Sequence, residues 1–189
     1  MADHPVLPLL DPATLDEAQR ALYDRIAGGP RAGAAATVPV VDADGRLAGP
    51  FNGLLFAPEL GDAVQAVGAR IRFGLSLSDR ERELATMLVA GRARCPYEVF
   101  AHRRLAAATG IPDDALDALS AGAIPELADE RERQVLALCA ALLDPAPDLA
   151  AVRTAAVDVG PRVVAELVML IGYYQLLARL LHVAEVPGT

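Results

Sequence analysis

The sequence predicts an all-α fold: a helical bundle with a central helical hairpin and a Gly/Pro-rich N-terminal arm. From Pro58 onward, apolar residues recur at helical spacing, and helix start and stop signals separate the segments. Of the 189 residues, 53% are hydrophobic but only 4% aromatic, which is typical of bundles rich in Ala, Leu and Val. This length predicts a single domain, 1–189, with its core at about 45–187 and an N-terminal helix and arm at 1–44.

The N-terminal part is predicted to be partly extended. Residues 1–13 form a Pro-rich arm, and a helix follows from Leu15 to Ala27 with Thr14 as its N-cap and a Gly-Gly-Pro run as its end. Between Arg31 and Phe56 the helical pattern gives way to Gly, Pro and short β-branched runs. The Asp44-Gly45 step within this segment predicts either a small hairpin or an ordered loop.

The rest of the chain is predicted to be helical. Ser78 and Glu81 form an S-x-x-E capping box, Gly110 ends the second helix of the hairpin, and Gly160-Pro161 separates the last two helices. The predicted helices are 58–73, 78–93, 96–109, 113–121, 129–143, 148–158 and 161–182.

Charge and residue usage exclude several classes of function. The net charge of -8 and the pI near 4.8 disfavour a nucleic-acid partner, which normally meets a basic face. All 17 basic residues are Arg, so Schiff-base enzymes, pyridoxal-phosphate enzymes and P-loop NTPases, which need a lysine amine, are excluded. The two cysteines are too few for a disulfide framework, and paired CxxC zinc spacing is absent. No metal site and no cofactor is therefore predicted.

The chain is expected to be cytoplasmic. Its first residues lack the basic start and apolar run of a signal peptide. The longest apolar stretch, Leu167–Leu177, is too short to cross a bilayer, so no membrane segment is predicted. A monomer this apolar would expose hydrophobic patches, which predicts a homo-oligomer.

The segment Glu83 to His102, ELATMLVAGRARCPYEVFAH, is the candidate catalytic region. Offsets of three and seven residues place Cys95, Glu98 and His102 on one helix face. Cys95 precedes Pro96, so its sulfur is expected at a helix N-terminus, where the free N–H groups favour a thiolate. Cys139, in an apolar run, is predicted to be a core residue.

Glu98 and His102 form an i, i+4 pair, in which the carboxylate would orient the imidazole and raise its basicity. This arrangement makes His102 a candidate general acid/base, with Glu83 as a second carboxylate relay. Three further polar residues are candidates for substrate binding: Asn52, Arg94 and Tyr173. Arg92 is a second candidate anion partner, and Tyr174 is an alternative to Tyr173.

The segment LSDRERELATMLVAGRARCPYEVFAHRRLAAATGIPDDALDAL resembles the core motif of the carboxymuconolactone decarboxylase and alkylhydroperoxidase-like (AhpD-like) superfamily. In that superfamily a helical hairpin carries Glu, a Cys-x-x-Cys pair and His, and the spacing E-x11-C-x2-E-x3-H of this chain is similar to it. The flanking runs GRLAGPFNGLL and ELVMLIGYYQLLARLL also resemble the decarboxylase-like branch. The resemblance implies an AhpD-like helical fold that assembles into trimers or hexamers, with the active site at or near a subunit interface.

One position departs from the pattern, because Glu98 occupies the place of the second cysteine. A carboxylate cannot form a disulfide, so the dithiol peroxidase cycle of the related branch is not expected. The leading hypothesis is a cofactor-independent enzyme that uses His102 and Glu98 to decarboxylate, isomerise or open a small organic acid or lactone. The alternatives are a Cys95-dependent peroxidase and a non-catalytic oligomeric binding protein, since one scaffold can host unrelated functions.

Overall fold

The computed structural model describes residues 5–29 and 38–188, and these form an all-α bundle, as predicted. They contain nine α-helices and a short 3₁₀ turn at Pro12–Thr14, and their β-pairing is limited to one isolated bridge. The α-helices are α1 (Glu17–Ala27), α2 (Pro50–Leu54), α3 (Pro58–Phe73), α4 (Asp79–Arg92), α5 (Pro96–Ala108), α6 (Asp113–Ser120), α7 (Glu130–Leu142), α8 (Leu149–Ala156) and α9 (Pro161–Val183).

Helix α4 is the centre of the main core. Every residue from Glu81 to Gly91 is buried, because α5, α6, α7 and α9 all pack around this helix. Gly91 allows the closest of these approaches: a Cβ there would lie 2.1 Å from the carbonyl oxygen of Leu119. A helix enclosed on all sides also buries its polar residues, and this places the carboxylate of Glu83 inside the protein.

The hairpin of α4 and α5 begins and turns at the predicted residues. Ser78 and Glu81 form the expected capping box, with the Ser78 side chain accepting from the Glu81 N–H at 3.1 Å. Arg94, at φ +50, makes the turn between the helices, and Pro96 occupies the first position of α5 after Cys95 as N-cap. These local signals therefore determine where α4 begins, where the chain turns and where α5 begins.

The N-terminal part forms a smaller second core. Helix α1 is capped by Asp16 and not, as predicted, by Thr14. The Asp16 carboxylate accepts from the Gln19 N–H, and the Gln19 side-chain oxygen accepts from the Asp16 N–H. The Asp44-Gly45 step does turn a small hairpin, closed by a bridge between Val41 and Leu47. The predictions for residues 1–4 and 30–37 lie outside the described residues. The second core packs around the following buried residues: Leu22, Ile26, Val40, Leu47, Leu54 and Leu55.

Helix α9 is longer than the apolar stretch seen in the sequence. Its 23 residues reach a mean hydropathy of 1.5 over an 18-residue window, so length and composition alone would allow it to cross a membrane. Half of that window is buried against the bundle, as is usual for the core helix of a folded domain. The prediction that this stretch is too short to cross a bilayer is therefore wrong on length, because the helix that contains it has 23 residues.

Candidate functional site

A cavity of about 140 Å³ lies between α3, α5 and α9 and is closed by the segment 38–40 and by α2. Most of its walls are aliphatic or aromatic, and the polar groups are few. The polar and aromatic residues that line it are Phe51, Arg72, Tyr97, Glu98, His102, Tyr173 and Tyr174. This composition is that of a small-molecule site, an apolar pocket with a few polar groups that can fix a ligand's orientation.

His102 lines this cavity and pairs across the hairpin with Glu83, which lies behind the lining residues. The Nδ1 atom of His102 lies 2.8 Å from Oε2 of Glu83, and both side chains are largely buried. Glu83 reaches His102 because α5 packs directly against α4. Nε2 of His102 makes no hydrogen bond to any residue in 5–29 or 38–188, so one ring nitrogen is held and the other is available.

Glu83 is surrounded by positive charge. Its Oε1 accepts from the Arg82 guanidinium at 3.1 and 3.3 Å, and Nη1 of Arg72 lies 3.9 Å from the same oxygen. Burial alone would raise the pKa of Glu83, but His102 and Arg82 outweigh it and hold that pKa below its ordinary value. Glu83 is therefore an anion that can stabilise a positive charge on His102.

Glu98 does not orient His102, contrary to the sequence-based prediction. Although the two residues are one turn apart on α5, His102 pairs with Glu83, and neither oxygen of Glu98 has a hydrogen-bond partner in the described structure. Glu98 is only 3% exposed and lines the cavity. Burial raises its pKa to about 8, so this carboxyl group is predominantly protonated at neutral pH.

Cys95 lies outside the residues that line the cavity. It is buried at the N-terminus of α5 against Ala178, Leu181 and Val186. Burial raises the pKa of its thiol and outweighs the backbone N–H groups of Glu98 and Tyr97, which lower it, so the expectation of a helix-stabilised thiolate is wrong. Cys139 is buried, as predicted, with its pKa raised to about 12 by burial, and both cysteines are free thiols.

The three candidate substrate-binding residues occupy different places. Tyr173 lines the cavity, where its ring packs edge-on against Tyr174 with centroids 5.2 Å apart. Asn52 is instead a buried clamp for the N-terminal arm: its side chain accepts from the Leu10 N–H and donates to the Pro8 carbonyl, both at 2.9 Å. Arg94 is exposed on the turn between α4 and α5 and does not line the cavity.

Two further cavity residues bear on the site: Tyr174, which the sequence offered as the alternative to Tyr173, and Arg72, which it did not indicate. Tyr174 packs edge-on against His102, with ring centroids 4.9 Å apart, and Arg72 brings a guanidinium to the wall. Tyr174 adjoins the predicted Tyr173, but Arg72 lies eleven residues before Glu83 on another helix. No local spacing links Arg72 to the motif, because only the packing of α3 brings it there.

Within the described part of the chain, no group of three or more His, Cys, Asp or Glu side chains is arranged to hold a metal ion. The polar groups at the cavity are one imidazole held by a carboxylate, one neutral carboxyl group, one guanidinium and three tyrosine side chains. Such a set can move a proton and bind an anion without a prosthetic group.

The fold and the site together define an all-α protein whose central hairpin holds an imidazole against a buried carboxylate. Residues 58–141 match the sequence model of the Carboxymuconolactone decarboxylase family, which confirms the resemblance seen in the motif. The matched residues include Arg72, Glu83, Cys95, Glu98 and His102. A search of curated proteins found no significant match.

Proposed function

We propose that this protein is a cofactor-independent enzyme that moves a proton on a small organic acid or lactone, leading to isomerisation, decarboxylation or ring opening. The observation that carries the proposal is the pairing of His102 with Glu83 at 2.8 Å beside a cavity that also contains the unpartnered Glu98. The family match supports the same general class of chemistry.

The roles follow from the charge state of each group. His102, with Nδ1 bound to Glu83, accepts a proton from carbon through Nε2, and the Glu83 anion stabilises the imidazolium that results. Glu98, neutral at pH 7, donates a hydrogen bond to the carbonyl oxygen on which negative charge develops. In isomerisation His102 returns that proton to another carbon, and in ring opening the electron pair left on carbon expels the lactone oxygen as a carboxylate. In decarboxylation no proton is taken from carbon: the C–C bond to the carboxylate breaks, its electron pair stays on carbon, and the imidazolium form of His102 gives its proton to that carbon.

The alternative of a Cys95-dependent peroxidase has less support. The thiol is 1% exposed, its pKa is raised, and it does not line the cavity, whereas a reactive cysteine needs access and thiolate character. A non-catalytic binding protein would use the same cavity but would not need the held imidazole. Turnover measurements separate these alternatives.

The test is turnover of a panel of β-keto acids and lactones by wild type, His102→Gln and His182→Gln. His182 is the matched control, because it is exposed, its Nε2 contacts the Arg94 carbonyl oxygen, and it is not one of the residues that line the cavity. The expected result is a loss of about 10²-fold or more for His102→Gln and unchanged turnover for His182→Gln. Full activity of a folded His102→Gln variant would overturn the proposal, and no turnover of any panel member by wild type would favour the binding protein.

We also propose that a second copy of this chain covers the outer face of α9. Four large apolar side chains on that face are between 43% and 57% exposed: Val168, Met169, Leu176 and Val183. The small residues Ala165 and Gly172 lie among them and would allow a second helix to approach closely. The GPFN segment does not extend this face, because Pro50, Asn52 and Gly53 are buried within the protomer.

A further inference from the structure

We propose that Arg72 selects the charge of the substrate by binding its single carboxylate, and that the rest of the substrate is apolar and about the size of a six-membered ring. This inference deepens the proposed function and rests on it for the identity of the site. No motif in the sequence predicts this role for Arg72, which comes from the placement of its side chain.

Most of the hydrogen-bonding capacity of the Arg72 guanidinium is unused. Its guanidinium lies 3.9 Å from Oε1 of Glu83, beyond hydrogen-bond length, and 5.8 Å from the centroid of the Phe73 ring. It makes no hydrogen bond to any other residue that the structure describes. A guanidinium has five N–H donors, and the Arg72 side chain is three-quarters buried at the cavity wall. Most of its donors therefore lack a hydrogen-bond acceptor in the described structure.

The carboxylate of Glu83 has hydrogen-bond partners on both oxygens without Arg72. Its Oε2 is paired with His102 at 2.8 Å, and its Oε1 accepts two contacts from Arg82 at 3.1 and 3.3 Å. The carboxylate of Glu83 is therefore satisfied before Arg72 is considered. The planar fork of a guanidinium matches a carboxylate in bidentate geometry, and a ligand carboxylate is the natural partner for the free donors of Arg72.

The volume of the cavity and the polar groups on its walls limit the size and the number of charges of a ligand. An apolar protein cavity of about 150 Å³ binds benzene, and the cavity here measures about 140 Å³. Apart from Arg72, the polar groups on its walls are the His102 imidazole, the Glu98 carboxyl and tyrosine rings. A second carboxylate would be buried without a cationic partner of its own, at a cost of several kcal/mol. The cavity therefore suits a ring-sized monocarboxylate better than a dicarboxylate.

Arg72 and His102 approach the same Glu83 carboxylate, one on each oxygen. A carboxylate bound to Arg72 is thereby held within one small cavity together with the imidazole that moves the proton. This places the reacting carbon next to the carboxyl-bearing part of the ligand. A neutral ligand of the same shape would fill the cavity but lose this fixed orientation.

The experiment measures the binding of benzoate and of its neutral analogue benzamide to the full-length protein by calorimetry at pH 7. We expect wild type to bind benzoate at least tenfold more tightly than benzamide. We expect Arg72→Gln to weaken benzoate binding at least tenfold while benzamide changes less than twofold. The control Arg70→Gln removes the same charge from the same helix turn, but at an exposed position outside the cavity lining, and should bind both probes like wild type.

Equal affinity of wild type for the two probes, binding of neither, or full benzoate affinity in Arg72→Gln would overturn the proposal. If Arg72→Gln does not fold, as judged by circular dichroism, the wild-type comparison decides alone, with phthalate as a dicarboxylate that should bind more weakly than benzoate. The outcome is separable from the proposed function. His102→Gln that keeps full turnover refutes proton transfer by His102, whereas the preference for benzoate depends on Arg72.

Discussion

The Nδ1 atom of His102 lies 2.8 Å from Oε2 of Glu83, across the two helices of the central hairpin and beside the cavity. The opposite oxygen of Glu83 is held by Arg82, so the carboxylate is fixed from both sides. This contact sets the tautomer of His102, since an anionic acceptor at Nδ1 requires the proton there and leaves Nε2 as the base. The following predictions concern this pair, the isolated Glu98, the thiol and the outer face of α9.

Replacing Glu83 by Gln should lower both stability and activity. The change removes the anion that Arg82 and His102 share, so the buried Arg82 guanidinium loses part of the negative charge that neutralises it. We expect a loss of about 1–3 kcal/mol in the free energy of unfolding, measured by urea denaturation. Turnover should fall because a neutral amide no longer stabilises the imidazolium. Glu130→Gln, which breaks an exposed ion pair with Arg133, should change the free energy of unfolding by less than about 0.5 kcal/mol. An unchanged stability of Glu83→Gln would contradict the arrangement described here.

Replacing Glu98 by Gln should change how stability depends on pH. The folded state keeps the Glu98 proton up to about pH 8, whereas the unfolded chain loses it near the ordinary glutamate pKa of 4.5. Between these values folding takes up a proton, so the contribution of Glu98 to stability is most favourable below 4.5 and declines as the pH rises to 8. Relative to Glu98→Gln, wild type should lose roughly 3–5 kcal/mol over this range.

The measurement for Glu98 is a series of urea denaturations from pH 5 to pH 9 on wild type, Glu98→Gln and the control Glu126→Gln. Glu126 is exposed in the loop between α6 and α7, so its variant should follow wild type at every pH. Parallel curves for wild type and Glu98→Gln would show that Glu98 titrates normally, and the role of neutral donor assigned to it would then be lost.

Both cysteines should resist thiol reagents in the folded protein. Cys95 and Cys139 are buried, and burial raises both pKa values, so little thiolate is present and access is blocked. Labelling with an aromatic disulfide reagent should be slow in buffer and reach two thiols per chain only in denaturant. Cys95→Ser should keep most of the activity. Rapid labelling of Cys95, or a peroxide-induced disulfide between Cys95 and Cys139, would favour the thiol-dependent alternative.

Replacing Met169 by Asp should dissociate the proposed oligomer. The side chain is 57% exposed in the middle of the apolar face of α9, where a buried charge would be unpaired. Light scattering should give a multiple of 19.8 kDa for wild type and a shift toward 19.8 kDa for Met169→Asp. Ile124→Asp, at a 52% exposed position in the loop before α7, should leave the mass unchanged. A wild-type monomer at micromolar concentration would refute the oligomer.

The sequence by itself determined the class of fold and the bounds of most helices. Apolar periodicity, the Ser78 capping box and the Gly160-Pro161 break are local signals, and each acts within a few residues of the structure that it specifies. The 58–73 helix is found at the predicted residues, and the other predicted helices differ by one or two residues at one or both ends. Helix α2 was missed because five residues are too few to show a helical period.

The partners of the site residues were decided only by the tertiary structure. Sequence spacing paired Glu98 with His102 because they are neighbours on one helix, but the packing of α4 against α5 offers His102 the charged Glu83 instead. A buried carboxyl without a partner becomes neutral, and a buried thiol remains protonated even at a helix N-terminus. These outcomes depend on burial and on side chains from distant parts of the chain. Local spacing contains neither kind of information, and for the same reason it did not reveal Arg72.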